Sequence, residues 1–165
     1  MSDAPCDDKW RVRLSSRYAS YFLSFEEDKE SAKIYVVTFD RKAAILWPYP
    51  HFLEWRSNLL QSSSIAPESR RQMLTASEFF GGGSEIDRNG RFLLPRAVRD
   101  ALGLVNPKTE FGVYNDGAIR LATKERLTLA MREFAPSGEQ LDSLAVEEYV
   151  RLAASPAKPR SPESA

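Results

Sequence analysis

Cysteine and histidine are almost absent: Cys6 and His51 each stand alone among 165 residues. A lone cysteine leaves no intrachain disulfide and no thiolate cluster for zinc. Cys6 also has no basic partner at a fixed spacing, which weighs against a catalytic thiolate. A lone histidine gives a His-based triad or a His-rich metal site a single chance. His51 follows "PYP" at a helix start, where packing or capping is the expected role. No apolar run approaches the roughly 20 residues a membrane helix needs. The opening "MSDAPCDDKW" is acidic and polar, unlike a signal peptide. A soluble chain in a reducing cytoplasm is therefore expected.

Charge of either sign is not in excess, with 23 basic and 23 acidic residues and a formal net charge of zero. That weighs mildly against a nucleic-acid binder, although local clustering overrides a bulk balance. The "GGGS" at 81–84 lacks the lysine of a phosphate-binding loop and follows a helix rather than a strand. It reads as a hinge. Glu26, Glu27, Asp28 and Glu30 read as a solvated loop rather than a calcium site. No catalytic constellation, metal site or cofactor motif emerges, and no small-molecule substrate is implied.

What is present is a globular composition, 42% hydrophobic and 11% aromatic, suited to one domain or two small ones sharing a core. Residues 1–8 read as a flexible N-terminus. "WRVRLSSRYASYFL" moves from strand-like to helical spacing. "AKIYVVTF" and "AAILWPY" predict a hairpin. Phe52, Trp55 and Leu59 predict a helix opened by Pro48. The "AILW" strand and this aromatic helix suit either a core or a subunit interface. "PESRRQMLTASEFF" predicts a helix with Met73, Leu74, Phe79 and Phe80 inward and Arg70 and Arg71 solvated, closed by the glycines. "EIDRNGRFLLPRAVRDALGL" then places a turn at Asn89–Gly90, a strand closed by Pro95, and a short helix. "TEFGVY" and "AIRLAT" flank a tight turn at 115–117. "KERLTLAMREF" is amphipathic, and a last helix opens with a capping box from Ser137 to Gln140. The tail at 155–165 is proline- and serine-rich and lacks the apolar surface to fold.

Shifted by 80 residues, the chain falls on itself. Asp7 meets Asp87, Arg11 meets Arg91, Val12 meets Phe92 and Leu14 meets Leu94. The shared feature is D-x-x-x-R followed by an apolar strand, and the order of elements repeats. Neither half is large enough to bury much surface alone. The organisation expected is a first, degenerate repeat with its helix at 9–60, a connecting helix and glycine hinge at 61–83, a second repeat at 84–135, and a C-terminal helix at 136–154.

The segment at 85–104 resembles the recognition segment of AbrB-type swapped-hairpin DNA-binding domains. With "AAILWPYPHFLEW" and "PESRRQMLTASEFFGGGSEIDRNGRFLLP", the chain resembles the MraZ transcriptional regulators, over about residues 7–135. That resemblance implies an α+β fold in which two AbrB-like swapped-hairpin β repeats share a core and pack with α-helices. It also implies a closed ring of identical subunits engaging short direct repeats in double-stranded DNA upstream of its own operon, in the cytoplasm and associated with the nucleoid, without cofactor or membrane. Two positions depart from the family pattern: Trp10 stands where glycine is usual and Ser15 where proline is usual. The strand that should precede the first motif is reduced to "SDAPC".

On this reading Arg11, Arg13, Arg17, Arg88, Arg91 and Arg96 face DNA. The planar guanidinium fork suits bidentate contacts to phosphate or guanine. Asp87, Asn89, Gly90 and Pro95 shape the turn. Arg91 has a second reading, as a partner of Asp87 across that turn, and the two are compatible. Arg99 reads as a helix-surface residue. Two rival functions stand beside a promoter-binding repressor: a ring-forming assembly protein that has lost DNA binding, and an AbrB-like antitoxin that binds a toxin.

Overall fold

The computed structural model describes residues 1–134 and 138–154. The predicted capping residue Ser137 and the predicted tail at 155–165 lie outside them. Among the described residues the run strand–strand–helix–strand–strand–helix–helix occurs twice. The first run comprises β1 (Ser2–Ala4), β2 (Arg11–Arg13), α1 (Ser16–Leu23), β3 (Ser31–Val37), β4 (Ala44–Pro48), α2 (Tyr49–Gln61) and α3 (Pro67–Phe79). The second comprises β5 (Gly81–Asp87), β6 (Arg91–Leu93), α4 (Arg96–Ala101), β7 (Phe111–Asn115), β8 (Ile119–Thr123), α5 (Lys124–Phe134) and α6 (Gly138–Ala154).

The chain divides into two compact units, Met1–Leu127 and Thr128–Ala165. The first holds both β repeats. Its main sheet is antiparallel, in the order β1-β7-β8-β4-β3-β5. Exchanging each strand for its counterpart in the other half reproduces that order in reverse, so the sheet has an internal two-fold pattern. At its centre β4 pairs with β8 in the register Ala44↔Leu121, Ile45↔Arg120, Leu46↔Ile119. Each half then lends its leading strand to the other: β5 lies on β3, and β1 lies on β7. The core contains Phe22, Ile34 and Leu46 from the first half and Ile86, Phe92, Phe111 and Leu121 from the second. Neither half closes that core alone.

Several expectations change. Residues 2–4 are not loose: they form β1, whose Ala4 is 1% exposed and pairs with Phe111. A backbone ladder on the neighbouring strand compensates for a sequence with little apolar content. The glycines at 81–83 are not a hinge but the start of β5, opposite Val37, Val36 and Tyr35. At Gly81 and Gly82 small size matters more than freedom. A Cβ on Gly81 would meet the carbonyl oxygen of Ser77 at 2.4 Å and the Tyr35 ring at 2.8 Å. Helix α3 does not turn Phe79 inward: it is 72% exposed, whereas Met73, Leu74 and Phe80 are half-buried and the buried residue of the helix is Ser77. Pro48 closes β4, and Pro50 occupies the first turn of α2. The "AILW" strand is central rather than an edge, with Ala44, Ile45 and Leu46 buried.

The second unit contains the remainder of α5 and the helix α6, all of whose described side chains are exposed or half-exposed. Among the described residues no helix is long and apolar enough to cross a membrane.

Candidate nucleic-acid interface

The two D-x-x-x-R segments meet in a separate two-stranded ribbon, β2 against β6. The register is Arg11↔Leu93, Val12↔Phe92 and Arg13↔Arg91. Positions related by the 80-residue shift are thus related by a local two-fold axis through Val12 and Phe92. Both axial residues are buried. Side chains alternate across a strand, so Arg11, Arg13, Arg91 and Leu93 face outward and are exposed. The ribbon is extended symmetrically by the Leu14 N–H donating to the Gly90 carbonyl at 2.8 Å and the Leu94 N–H donating to that of Trp10 at 2.9 Å. The Asn89–Gly90 turn does reverse the chain, yet the ladder partner of β6 is β2, not the β5 strand that precedes the turn.

Each motif aspartate folds its own turn. Asp7 Oδ1 accepts the N–H groups of Lys9 at 2.9 Å and Arg11 at 3.0 Å. Asp87 Oδ1 accepts those of Asn89 at 2.9 Å and Arg91 at 3.0 Å. The spacing in D-x-x-x-R therefore reflects a carboxylate that satisfies two turn amides. It presents the arginine at the first residue of the next strand. The residue before that arginine is left-handed in both halves, with φ +82° at Gly90 and +62° at Trp10. Trp10 bears that conformation despite its side chain, and its ring lies under the Arg99 guanidinium, 5.1 Å from the carbon to the ring centre. Arg99 is accordingly half-buried rather than freely exposed on the helix: its Nε is buried with no hydrogen-bond partner. Ser15 takes the place of Pro95 with nearly the same φ, −61° against −58°. The first repeat makes the same turn as the second, through different residues.

The guanidinium groups differ more than the backbones do. Arg11 Nε donates to Asp7 Oδ2 at 2.8 Å. Hydrogen bonds from the Arg11 and Lys9 amides and the Arg11 side chain hold the Asp7 carboxyl below the usual aspartate range. Arg91 makes no such bond to Asp87: that pairing runs through its backbone. Arg88 lies 3.7 Å from Glu30, and Arg96 lies 3.8 Å from Asp100, both pairs being largely exposed. Arg17 sits 5.9 Å from the Tyr18 ring centre. Arg70 is partly held by its bond to the Ser62 carbonyl.

Leu93 was not picked out by the sequence as a surface residue of this face, yet it is 52% exposed opposite Arg11. The 80-residue alignment contains the signal, since it sets Leu93 against Arg13.

Other chemistry is sparse. Burial, followed by the Asp7 charge, pushes the Cys6 thiol up to about 11; it stays protonated at neutral pH. His51 packs edge-on against Phe25 at 4.9 Å. It borders a cleft of ≈ 360 Å³ with Arg17, Tyr21, Trp47 and Asn115. Among the described residues no group of three or more His, Cys, Asp or Glu is placed to hold a metal ion.

No protein-family model matches the chain. Over 95 residues, covering 58% of this chain and 62% of the relative, it is 28% identical to a transcriptional regulator MraZ of Koribacter versatilis. Over 125 residues, covering 74% of this chain and 82% of the relative, it is 22% identical to a transcriptional regulator MraZ of Acidobacterium capsulatum. The first match spans less than two thirds of that relative's length.

Proposed function

We infer that this chain, a member of the MraZ family, is a transcriptional regulator that binds double-stranded DNA through the β2–β6 ribbon. The observation that carries the reading is the outward face of that ribbon. Arg11, Arg13 and Arg91 stand on one exposed surface, over an axis built from buried Val12 and Phe92. A two-stranded ribbon fits the width of a major groove, and arginine suits phosphate and guanine alike. Arg17, Arg88 and Arg96 flank the ribbon at the adjoining helix starts and turn. A single chain supplies few contacts and has no net charge. Binding therefore calls for several copies along one duplex, because affinity grows with the number of phosphates neutralised.

The finer reading is a homo-oligomer, closed by a heterologous interface into a ring, that occupies short direct repeats upstream of its own operon and represses it, acting in the cytoplasm at the nucleoid. It needs no catalytic group and no cofactor.

Fluorescence-anisotropy titration tests this with two duplexes, one carrying the repeats from upstream of the gene and one shuffled, at two salt concentrations. Preference for the repeats is expected. Equal, weak binding to both overturns the regulator reading and favours a ring-forming assembly role.

A further inference from the structure

We propose that the ribbon grips DNA from one end only: the end formed by Arg13 and Arg91 makes the phosphate contacts, and the end formed by Arg11 positions the strand without contacting DNA. The proposal rests on the DNA-binding reading above and assigns its contacts.

The backbone of the ribbon is two-fold symmetric, but its charge is not. At one end the second-half turn meets the first-half strand, where Leu14 bonds to Gly90. Arg13 and Arg91 are direct cross-strand partners there. Helix α1 starts beside the same turn, since Ala19 is the side chain nearest to Gly90. That brings Arg17 to the same end; Arg88 is in the turn itself, with Glu30 3.7 Å away. Among the described residues, the guanidinium groups of Arg13, Arg17 and Arg91 are in no ion pair; Asp87 is bound to the Arg91 amide, not to its side chain. Two like charges directly opposite on a ladder, with Cβ atoms about 4.5–5.5 Å apart, destabilise it. An arrangement that is unfavourable in the free protein becomes favourable when an anion lies across both groups.

The opposite end is neutralised from within. Arg11 faces Leu93 instead of a second cation. Its guanidinium is bound to Asp7 at 2.8 Å. The turn carries Asp8 and Lys9 where the other turn carries Arg88 and Asn89, so its two charges cancel. Arg96 has Asp100 at 3.8 Å. A phosphate approaching this end meets a turn that carries the Asp7 and Asp8 carboxylates as well as Arg11 and Lys9. It would also have to break the Arg11–Asp7 pair, whose two hydrogen-bonded amides keep Asp7 ionised and in place.

The test is the salt dependence of duplex binding for the wild type and for Arg11→Ala, Arg13→Ala and Arg91→Ala. A single phosphate contact contributes about −0.9 to the slope of log affinity against log salt. Arg13→Ala and Arg91→Ala should each flatten the slope by about that amount per chain in contact and weaken binding. Arg11→Ala should leave the slope unchanged. Arg91→Lys, which keeps the charge, should retain the wild-type slope. Thermal melting gives a readout free of DNA: Arg11→Ala should lower Tm, whereas Arg91→Ala, which relieves a like-charge pair, should hold or raise it. If Arg11→Ala flattens the slope as much as Arg91→Ala, the polarity is overturned while DNA binding stands. If the wild type shows no salt-dependent binding to duplex at all, the DNA reading falls and the polarity falls with it.

Discussion

The aspartate of each motif does the same local work whatever lies around it, which is why D-x-x-x-R is a turn before it is a binding site. Asp7 is held below the ordinary aspartate range, chiefly by the Arg11 amide, with further help from the Lys9 amide and the Arg11 guanidinium. A carboxylate whose folded pKa is depressed stabilises the fold at pH above its unfolded value, near 3.9. That stability is lost as pH falls through the lower, folded value. In urea unfolding followed from pH 7 to pH 3, the midpoint of the wild type should fall on the acid side. Asp7→Asn, which keeps an acceptor for the amides but cannot titrate, should fall less steeply. Glycine positions provide a second check at this scale. Gly90 is left-handed, and a Cβ there would meet the Leu14 carbonyl oxygen at 2.6 Å. Gly90→Ala should cost more than about 1 kcal/mol in denaturant unfolding. Gly83 has nothing within 4 Å of a Cβ, so Gly83→Ala should stay within about 0.5 kcal/mol of the wild type.

The ribbon is the element on which the account turns, and it is short: three residues on each side. Such a ladder holds only because its inward side chains reach the common core, where Val12 and Phe92 lie with Phe22, Ile86 and Val98. Phe92→Ala should therefore cost about 3–5 kcal/mol. A double-mutant cycle with Val12→Ala should show coupling of about 0.5–3 kcal/mol, as expected for residues in direct contact. Much of this was legible beforehand. The 80-residue shift aligned Asp7 with Asp87 and Val12 with Phe92, and the ribbon pairs Val12 with Phe92. The AbrB-like resemblance implied swapped hairpins, which the exchange of β1 and β5 between halves reproduces. Three features were not legible, each for a local reason. The β1 strand is held by a backbone ladder, which leaves little trace in a run as polar as "SDA". The glycines at 81–83 imitate a hinge in composition, whereas close approach to Ser77 and Tyr35 at Gly81, and to Pro95 at Gly82, is what excludes a side chain there. The half-buried Arg99 against Trp10 joins residues far apart in sequence, and no periodicity marks such a contact.

At the scale of the whole molecule, one sheet is built jointly by two halves, and the ribbon joins the same halves a second time. Loss of one half should therefore unfold the unit rather than leave half a binding surface. The ribbon faces outward as a single patch, and on the proposed reading repeated copies of that patch along a duplex would supply the charge that one neutral chain lacks. The central claim is that this patch is what DNA covers. Arginine-selective dicarbonyl labelling, read by mass spectrometry with and without the upstream duplex, addresses it directly. The account expects Arg13, Arg17 and Arg91 to lose labelling when duplex is added, while Arg71, exposed on α3, keeps it. Unchanged labelling of Arg13 and Arg91 under conditions where the duplex is bound would contradict the account.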